Sequence, residues 1–419
     1  MRGLRLALPP AALGLRRLPF GDPGPGSLLT ALLLGILIGP LPVGAQDLLI
    51  RDATVYTMAE SGILERGDVL IRDGKIVEVG PSLSAPRGVP VISGEGRYVL
   101  PGLIDAHSHI ATQDERGGGS DRHEQGQRVN TGLRILDSVN PQYRWLTTAL
   151  EGGVTTILVT PGSNATYGGQ IVVIKTPPKP TVEEMLLKVD GQTKMSMAAT
   201  MGTGTSEMRE WFQKGREYLE KWERWEAGGR EGVAPARDLQ LEGIAKQLTG
   251  EVVTHIHAQT AIEMQYALKI AREFGLRVNI EHAFDGWKMI EDIKASGVNI
   301  TFGPMIYGFA NEASYTPGIL AREGVKVALT MDSASDFEKH HLHHAQMAVR
   351  YGMDPMDALR SVTIVPAQML GVDERVGSLE AGKDGDVVIL DGDPMSTFTH
   401  VLYTIVDGEI VYEGGEVGP

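Results

Sequence analysis

Between residues 99 and 370 the chain alternates short apolar runs with amphipathic stretches, and this rhythm constrains the fold more than any other feature. The runs LIDAH (103–107), GVTTILVTP (153–161), VVTHIHA (252–258), RVNIEHA (277–283), NITFGP (299–304) and KVALTMD (326–332) have strand length. Helical patterns such as AIEMQYALKIAREFG (261–275) and WKMIEDIKASG (287–297) separate several of them. Strand, helix, strand at this pace gives parallel βαβ units. A closed (β/α)8 TIM barrel is the economical architecture for such a series. A Rossmann-type sheet is disfavoured, because no glycine fingerprint follows an early strand. Residues 162–194 and 203–250 interrupt the rhythm, and MREWFQKGREYLEKWERWE (208–226) reads as a charged helical excursion.

Both ends of the chain are β-rich. Residues 47–98 give short strands with a turn at Arg72-Asp73-Gly74, and GDVVILDGDP (385–394) and VLYTIVDGEIVYEGG (401–415) repeat the idiom. Asp407-Gly408 has the composition of a hairpin turn. The expected α/β organisation is a signal peptide at 1–45, a small β-sandwich made from 46–98 and 371–419, and a metal-dependent barrel at 99–370.

The leader assignment rests on order. Arg2, Arg5, Arg16 and Arg17 precede the apolar run LLTALLLGILIG (28–39), and Val43-Gly44-Ala45 closes it with small residues. That run falls short of the ~20 residues a spanning helix needs, so no stable membrane span is expected after cleavage; the alternative is an uncleaved anchor. The expected location is periplasmic or secreted. Without this segment the net charge moves from −14 to −17, which argues against nucleic acid as a partner. There is no Cys, so thiolate chemistry and Cys-ligated metals are excluded. Any metal site must use imidazole, carboxylate or lysine.

The chemistry lies at the strand ends. His107 and His109 close the first run, and side chains at i and i+2 of a strand face the same side. His255 and His257 repeat that spacing, His282 ends the next run, and Asp332 ends a later one. The C-terminal edge of parallel strands is where barrel enzymes collect catalytic groups. Imidazoles with a carboxylate suit a divalent transition metal such as zinc.

With VLPGLIDAHSH (99–109), Met331-Asp332 and VGSLEAGKDGDVVILDGDP (376–394) added, the sequence resembles the amidohydrolase superfamily, in particular the branch similar to imidazolonepropionase and metal-dependent prolidases. The resemblance implies a (β/α)8 barrel with a β-sandwich and one or two divalent ions that activate water for hydrolysis. It assigns His107 and His109 to the more buried metal and Asp332 to completing that site and shuttling the proton. His282 and either His255 or His257 would hold the second metal. The family pattern favours His255, with His257 beside the substrate; His257 or His282 could stabilise the oxyanion. Lys194, with Lys175 as competitor, would supply the bridging carboxylated lysine. Deaminases and imidazolonepropionases of this superfamily carry a glutamate three residues after the fifth-strand histidine. Here that residue is Ala258 if His255 is taken, which favours amide hydrolysis.

Other features read as structure or as secondary candidates. The run His340-His341-Leu342-His343-His344 reads as a solvated helix start or a surface metal patch. Loop 114–127 with His123 reads as a mobile surface loop or a substrate lid, and Arg128, Tyr167 and Tyr307 as possible substrate contacts. Trp211, Tyr218, Trp222 and Trp225 read as helix packing. The expected function is an exported metal-dependent hydrolase of a C–N bond in a small substrate, such as a dipeptide or N-acyl amino acid. The rivals are an imidazolonepropionase-like cyclic amidase or deaminase, and a metal-free scaffold protein. A homo-oligomer is compatible with the sequence.

Overall fold

The computed structural model describes residues 47–112, 128–198, 204–305, 312–333 and 335–415, all within one compact unit, 44–419. The leader 1–45, the whole of loop 114–127 with His123, and Tyr307 lie outside the described residues. Among the described residues, no helix is long and apolar enough to cross a membrane.

The N-terminal β-rich region forms β1 (Leu48–Tyr56), β2 (Ile63–Arg72), β3 (Lys75–Gly80), β4 (Val91–Ser93) and β5 (Tyr98–Pro101). Asp73 and Gly74 turn β2 into β3 with φ of 48° and 76°, values that Asp and Gly tolerate best. Next come β6 (Leu103–Ser108), β7 (Val154–Val159), β8 (Tyr167–Gln170), β9 (Val172–Lys175) and β10 (Leu186–Lys188). The series continues with β11 (Gln192–Ser196), β12 (Val253–Ala258), β13 (Val278–His282), β14 (Asn299–Phe302) and β15 (Val327–Leu329). The C-terminal strands β16 (Val387–Leu390), β17 (Val401–Val406) and β18 (Glu409–Glu413) complete it.

The two chain ends meet in one sheet ordered β18-β17-β16-β5-β1-β2-β3, with β4 on β1. Its own core holds Ile50, Val69, Ile71, Val99, Val387 and Ile405. The described ladders make this a single eight-stranded sheet and do not divide it into the two layers expected of a sandwich.

The middle of the chain is α/β. β6 and β7 pair in parallel, as do β11 through β15. β6 and β7 are buried along their whole length, as strands covered on both faces are. The ladders form two open sheets, β10-β9-β7-β6 and β15-β14-β13-β12-β11-β8, instead of eight closed strands. Two insertions explain the difference. Antiparallel β8 and β9 stand between the parallel partners of the two sheets. On the opposite side, Ser361 and Val362 wedge between β15 and β6: Ser361 O accepts from Leu329 N and Val362 O from Ile104 N. The expected excursion is a helix, Gly204–Ala227, on which Trp222 packs edge-on to Trp225.

Candidate metal centre

The C-terminal ends of β6, β12, β13 and β15 deliver the histidines and Asp332 to one region. Successive strand residues normally face opposite ways, yet Glu281 and His282 both point into it. The backbone accounts for this: His282 has φ 72° and Ala283 φ 46°, a left-handed turn that swings the second side chain inward. Asp332 is left-handed too, with φ 48°. Such conformations cost about 1–3 kcal/mol each and cluster at functional sites. Here hydrogen bonds hold them, from His282 Nδ1–H to Gly303 O at 2.8 Å and from Asp332 N–H to Thr330 Oγ1 at 3.0 Å.

Four imidazoles share one orientation. His109 Nδ1–H donates to Thr160 O at 2.7 Å, His282 Nδ1–H to Gly303 O, His257 Nδ1 bonds Ser163 Oγ at 2.8 Å, and His107 Nδ1 faces Glu281 Oε1 at 2.8 Å. Engaging Nδ1 leaves each Nε2 as the free lone pair. Nε2 of His107 and His109 lie 3.3 and 3.2 Å from Asp332 Oδ1. His282 packs 5.1 Å from the His107 ring and 4.3 Å from the His257 ring, centroid to centroid. Among the described residues, both ring nitrogens of His107 and Nε2 of His282 are buried without a hydrogen-bond partner, the His107 contacts to Glu281 and Asp332 being ion-pair distances.

Two overlapping groups in this region have donor atoms all within 4.8 Å of one another: His107, His109 and Asp332, and His107, Glu281 and His282. Histidines whose second nitrogen is anchored by a carbonyl or carboxylate, with lone pairs converging on a carboxylate, fit a divalent ion.

Electrostatics point the same way. Burial, with His282 and Lys194 nearby, lowers His257 to about 2. Burial also lowers His282, to about 4, against the pull of Asp332. For His107 burial is outweighed by Glu281 and Asp332, which hold it up at about 9. Burial opposes ionisation of Asp332, but hydrogen bonds from His107 and His109 hold its carboxyl far below the usual range. The space between Glu281 and Asp332 thus favours positive charge.

His255 sits differently. It lies two residues before His257 on β12, roughly 6–7 Å deeper. Its Nε2–H donates to Gln192 Oε1 at 2.7 Å, and its Nδ1 is 3.3 Å from Glu281 Oε1. His257, not His255, is the β12 histidine whose ring packs on His282, 4.3 Å between centroids. Lys194 is level with His255 in the β11–β12 register, and its Nζ meets Glu281 Oε2. Lys175, the competitor, is remote from this cluster: its Nζ binds Asp384 at 2.7 Å, Asp386 at 3.0 Å and Asp407 at 2.5 Å.

The floor of the site overturns the solvated reading of the histidine run. His341 and His344 are fully buried. His341 Nε2–H donates to Ile104 O at 3.0 Å and His344 Nδ1–H to Thr330 O at 2.9 Å. Asp105 stitches the seam there: Oδ1 accepts from His107 N and Oδ2 from Met331 N, each at 2.8 Å. Beside it, burial and Asp105 push the Glu338 carboxyl well above its usual range, and its Oε2 accepts from Ser108 Oγ at 3.2 Å. Tyr167 is buried with its hydroxyl on Met208 O at 3.0 Å, which makes it a packing residue. Arg128 pairs with Glu207 at 3.1 Å. Sequence reasoning missed Glu281, Ser163, Gln192 and Asp105. Only Asp105 carried a signal, at i−2 from His107 on the same strand face.

Comparison with known proteins is consistent with this geometry. Residues 98–411 match the model of the Amidohydrolase family. The chain belongs to the amidohydrolase family. It is thereby a hydrolase acting on carbon–nitrogen bonds. A solved amidohydrolase from Thermotoga maritima MSB8 is 30% identical and superposes with a TM-score of 0.81, covering 88% of this chain and 100% of that one. The amidohydrolase tasK of Hapsidospora irregularis is 25% identical over 88% of this chain, which spans only 44% of that relative's length. A 5-methylthioadenosine/S-adenosylhomocysteine deaminase of Symbiobacterium thermophilum is 27% identical over 88% of this amidohydrolase and 94% of the deaminase.

Proposed function

We propose that this amidohydrolase is an exported, metal-dependent enzyme that hydrolyses the amide bond of a small substrate, a dipeptide or an N-acyl amino acid. In this reading residues 1–45 are a cleaved leader and 99–370 a barrel-like catalytic domain flanked by 46–98 and 371–419. The observation that carries the proposal is the common orientation of His107, His109, His257 and His282, each with Nδ1 engaged. One divalent ion, zinc by the chemistry of the donor set, would be held by His107, His109 and Asp332; a second would be held by His257 and His282. When bound, such an ion lowers the pKa of water from about 15.7 toward about 7.

The residues supply the rest. Asp332 Oδ1 sits between the His107 and His109 nitrogens, where it can take the nucleophile's proton and pass it to the leaving nitrogen. His257 keeps a trace of exposure, 8%, and in this reading it lies beside the substrate.

The second reading is a deaminase or an imidazolonepropionase-like cyclic amidase, favoured by the deaminase likeness. The local structure speaks against it. With His257 as the fifth-strand residue, the position three further on is Thr260, and the next glutamate, Glu263, is committed elsewhere. Glu263 Oε2 accepts from Gln259 N at 2.7 Å and Thr260 N at 2.9 Å in the capping box of the helix Ala261–Phe274.

The test is to strip the protein with a chelator, reload it with zinc or manganese, and assay dipeptides, N-acyl amino acids and adenosine-type amines in parallel. Chelator-sensitive release of amino acid is expected. Ammonia release from the amines alone would replace the proposal with the deaminase reading. No stoichiometric metal and no turnover would leave the scaffold reading.

A further inference from the structure

Just past His282 the chain sets an aromatic ring beside the cluster instead of a polar group. The left-handed turn at His282 and Ala283 carries Phe284 over the C-terminal edge of β13. Its ring lies 5.9 Å from the His282 ring and 5.8 Å from the Phe302 ring, centroid to centroid, the second contact edge-on. Together with the His257–His282 contact this makes a row of four rings that ends in the core at Phe302. The backbone beneath is fixed: Thr316 Oγ1 donates to Phe284 O at 3.2 Å, and Asp285 N to Gln259 O at 3.1 Å. Phe284 itself is half-buried.

The charged side chains that follow β12 and β13 are committed to helix starts and to each other. Glu263 caps the helix Ala261–Phe274 through Gln259 N and Thr260 N. Asp285 Oδ2 accepts from Ala261 N at 3.1 Å, and its Oδ1 pairs with Lys288 Nζ at 2.8 Å. What these two segments leave beside His257 and His282 is the ring of Phe284.

We propose that Phe284 is a specificity-determining residue, the wall on which the acyl half of the substrate packs, and that the substrate class is an amide whose acyl half is apolar, either aromatic or medium-chain aliphatic. The inference deepens the functional reading above and rests on it. In that reading Asp332 hands its proton to the leaving nitrogen, so the amine half of the amide lies on the Asp332 side of the cluster. The acyl half then falls on the other side, along His257, His282 and Phe284. An apolar group there removes its own surface and that of the ring from water, which is favourable in proportion to the area buried. An acyl carboxylate would give up its hydration against the electron-rich face of an aromatic ring, with the neighbouring charges already paired.

The test uses the full chain reconstituted with zinc and a series that shares one leaving group: N-acetyl-, N-hexanoyl-, N-phenylacetyl- and N-succinyl-alanine. In wild type, kcat/KM is expected to be at least about tenfold higher for the phenylacetyl and hexanoyl substrates than for the succinyl one. In Phe284→Ala the phenylacetyl-to-acetyl ratio of kcat/KM is expected to fall about 10–100-fold, chiefly through KM. Phe284→Leu keeps an apolar wall, so its hexanoyl-to-acetyl ratio is expected within about threefold of wild type. A wild-type preference for succinyl, or a loss in Phe284→Ala that is equal for all acyl groups, overturns the proposal. A second readout needs no turnover: calorimetric binding of phenylacetate and succinate, the acids such hydrolysis would release, with and without zinc. Phenylacetate is expected to bind about tenfold tighter than succinate, and to lose that margin in Phe284→Ala. Equal affinities in wild type overturn the proposal. Selective binding of phenylacetate by a chain that hydrolyses no amide would sink the functional reading and leave the wall at Phe284 standing. Amide hydrolysis indifferent to the acyl group would do the reverse.

Discussion

Asp332 Oδ1 lies 3.3 Å from His107 Nε2, although the strands that carry these residues share no backbone ladder. The contact spans the seam between the two open sheets, and Asp105 fixes its length by bonding Met331 N and His107 N with one carboxylate. If Asp332 both completes the metal site and moves the proton, Asp332→Asn should lower kcat by about 10²–10⁴-fold. The loss should persist when zinc is saturating, as metal analysis of the assayed sample would show. Recovery of activity at high zinc would restrict Asp332 to holding the ion.

Ser163 is the sole side chain among the four Nδ1 partners that a conservative change can remove at a half-buried loop. It bonds His257 Nδ1 at 2.8 Å. Ser163→Ala should weaken zinc binding by about 10–100-fold at the second position and leave the fold intact. Equilibrium dialysis distinguishes this from Ser163→Thr, which retains the hydroxyl and is expected to bind like wild type.

Lys175 gathers three aspartates, Asp384, Asp386 and Asp407, between β9 and the C-terminal strands. Opposing burial, these carboxylates raise its pKa. Lys175→Met leaves the acids facing one another, and urea unfolding should register a loss of about 3–5 kcal/mol. Hydrolase activity per folded molecule is expected to stay within about twofold, because none of the residues proposed for the chemistry touches this cluster.

Acid should act through two groups of like sign. Burial lowers His344 to about 3, so the folded state resists protonation that the unfolded chain accepts near pH 6.5. Its contribution is whole above about pH 6.5 and drains away as pH falls toward about 3, at up to about 1.4 kcal/mol per pH unit. Asp384 follows further down. Burial works against its ionisation, but Lys175, Lys75 and Arg375 hold it at about 2, so its contribution is present above about pH 3.8 and lost as pH falls through about 2. Thermal melts from pH 7 to pH 4 should fall less steeply for His344→Gln than for wild type. Parallel slopes would remove His344 as a source.

The strands were legible because each is short, apolar and capped by turn residues. The run VVTHIHA covers β12 and RVNIEHA covers β13. Depth was not legible. His255 and His257 share a face, and the pairing with β13, which sets His257 opposite Glu281, shows which one is level with the cluster at the strand ends. Glu281 was hidden by strict alternation, which assigns neighbours to opposite faces until a positive φ at His282 breaks the rule. His341 and His344 did carry a signal, since i and i+3 share a helix face, but their charge-bearing side chains suggested water when their partners were carbonyls. Closure of the barrel failed for a local reason, the wedge of Ser361 and Val362, whose apolar and small side chains look like any helix connection.

That wedge has a mechanical consequence. An ion gripped by His107 on one side and Asp332 on the other would rivet two panels that the peptide chain leaves unzipped. Losing it should loosen the joint before either panel melts, so the atoms proposed for the chemistry would also serve as the clasp of the scaffold.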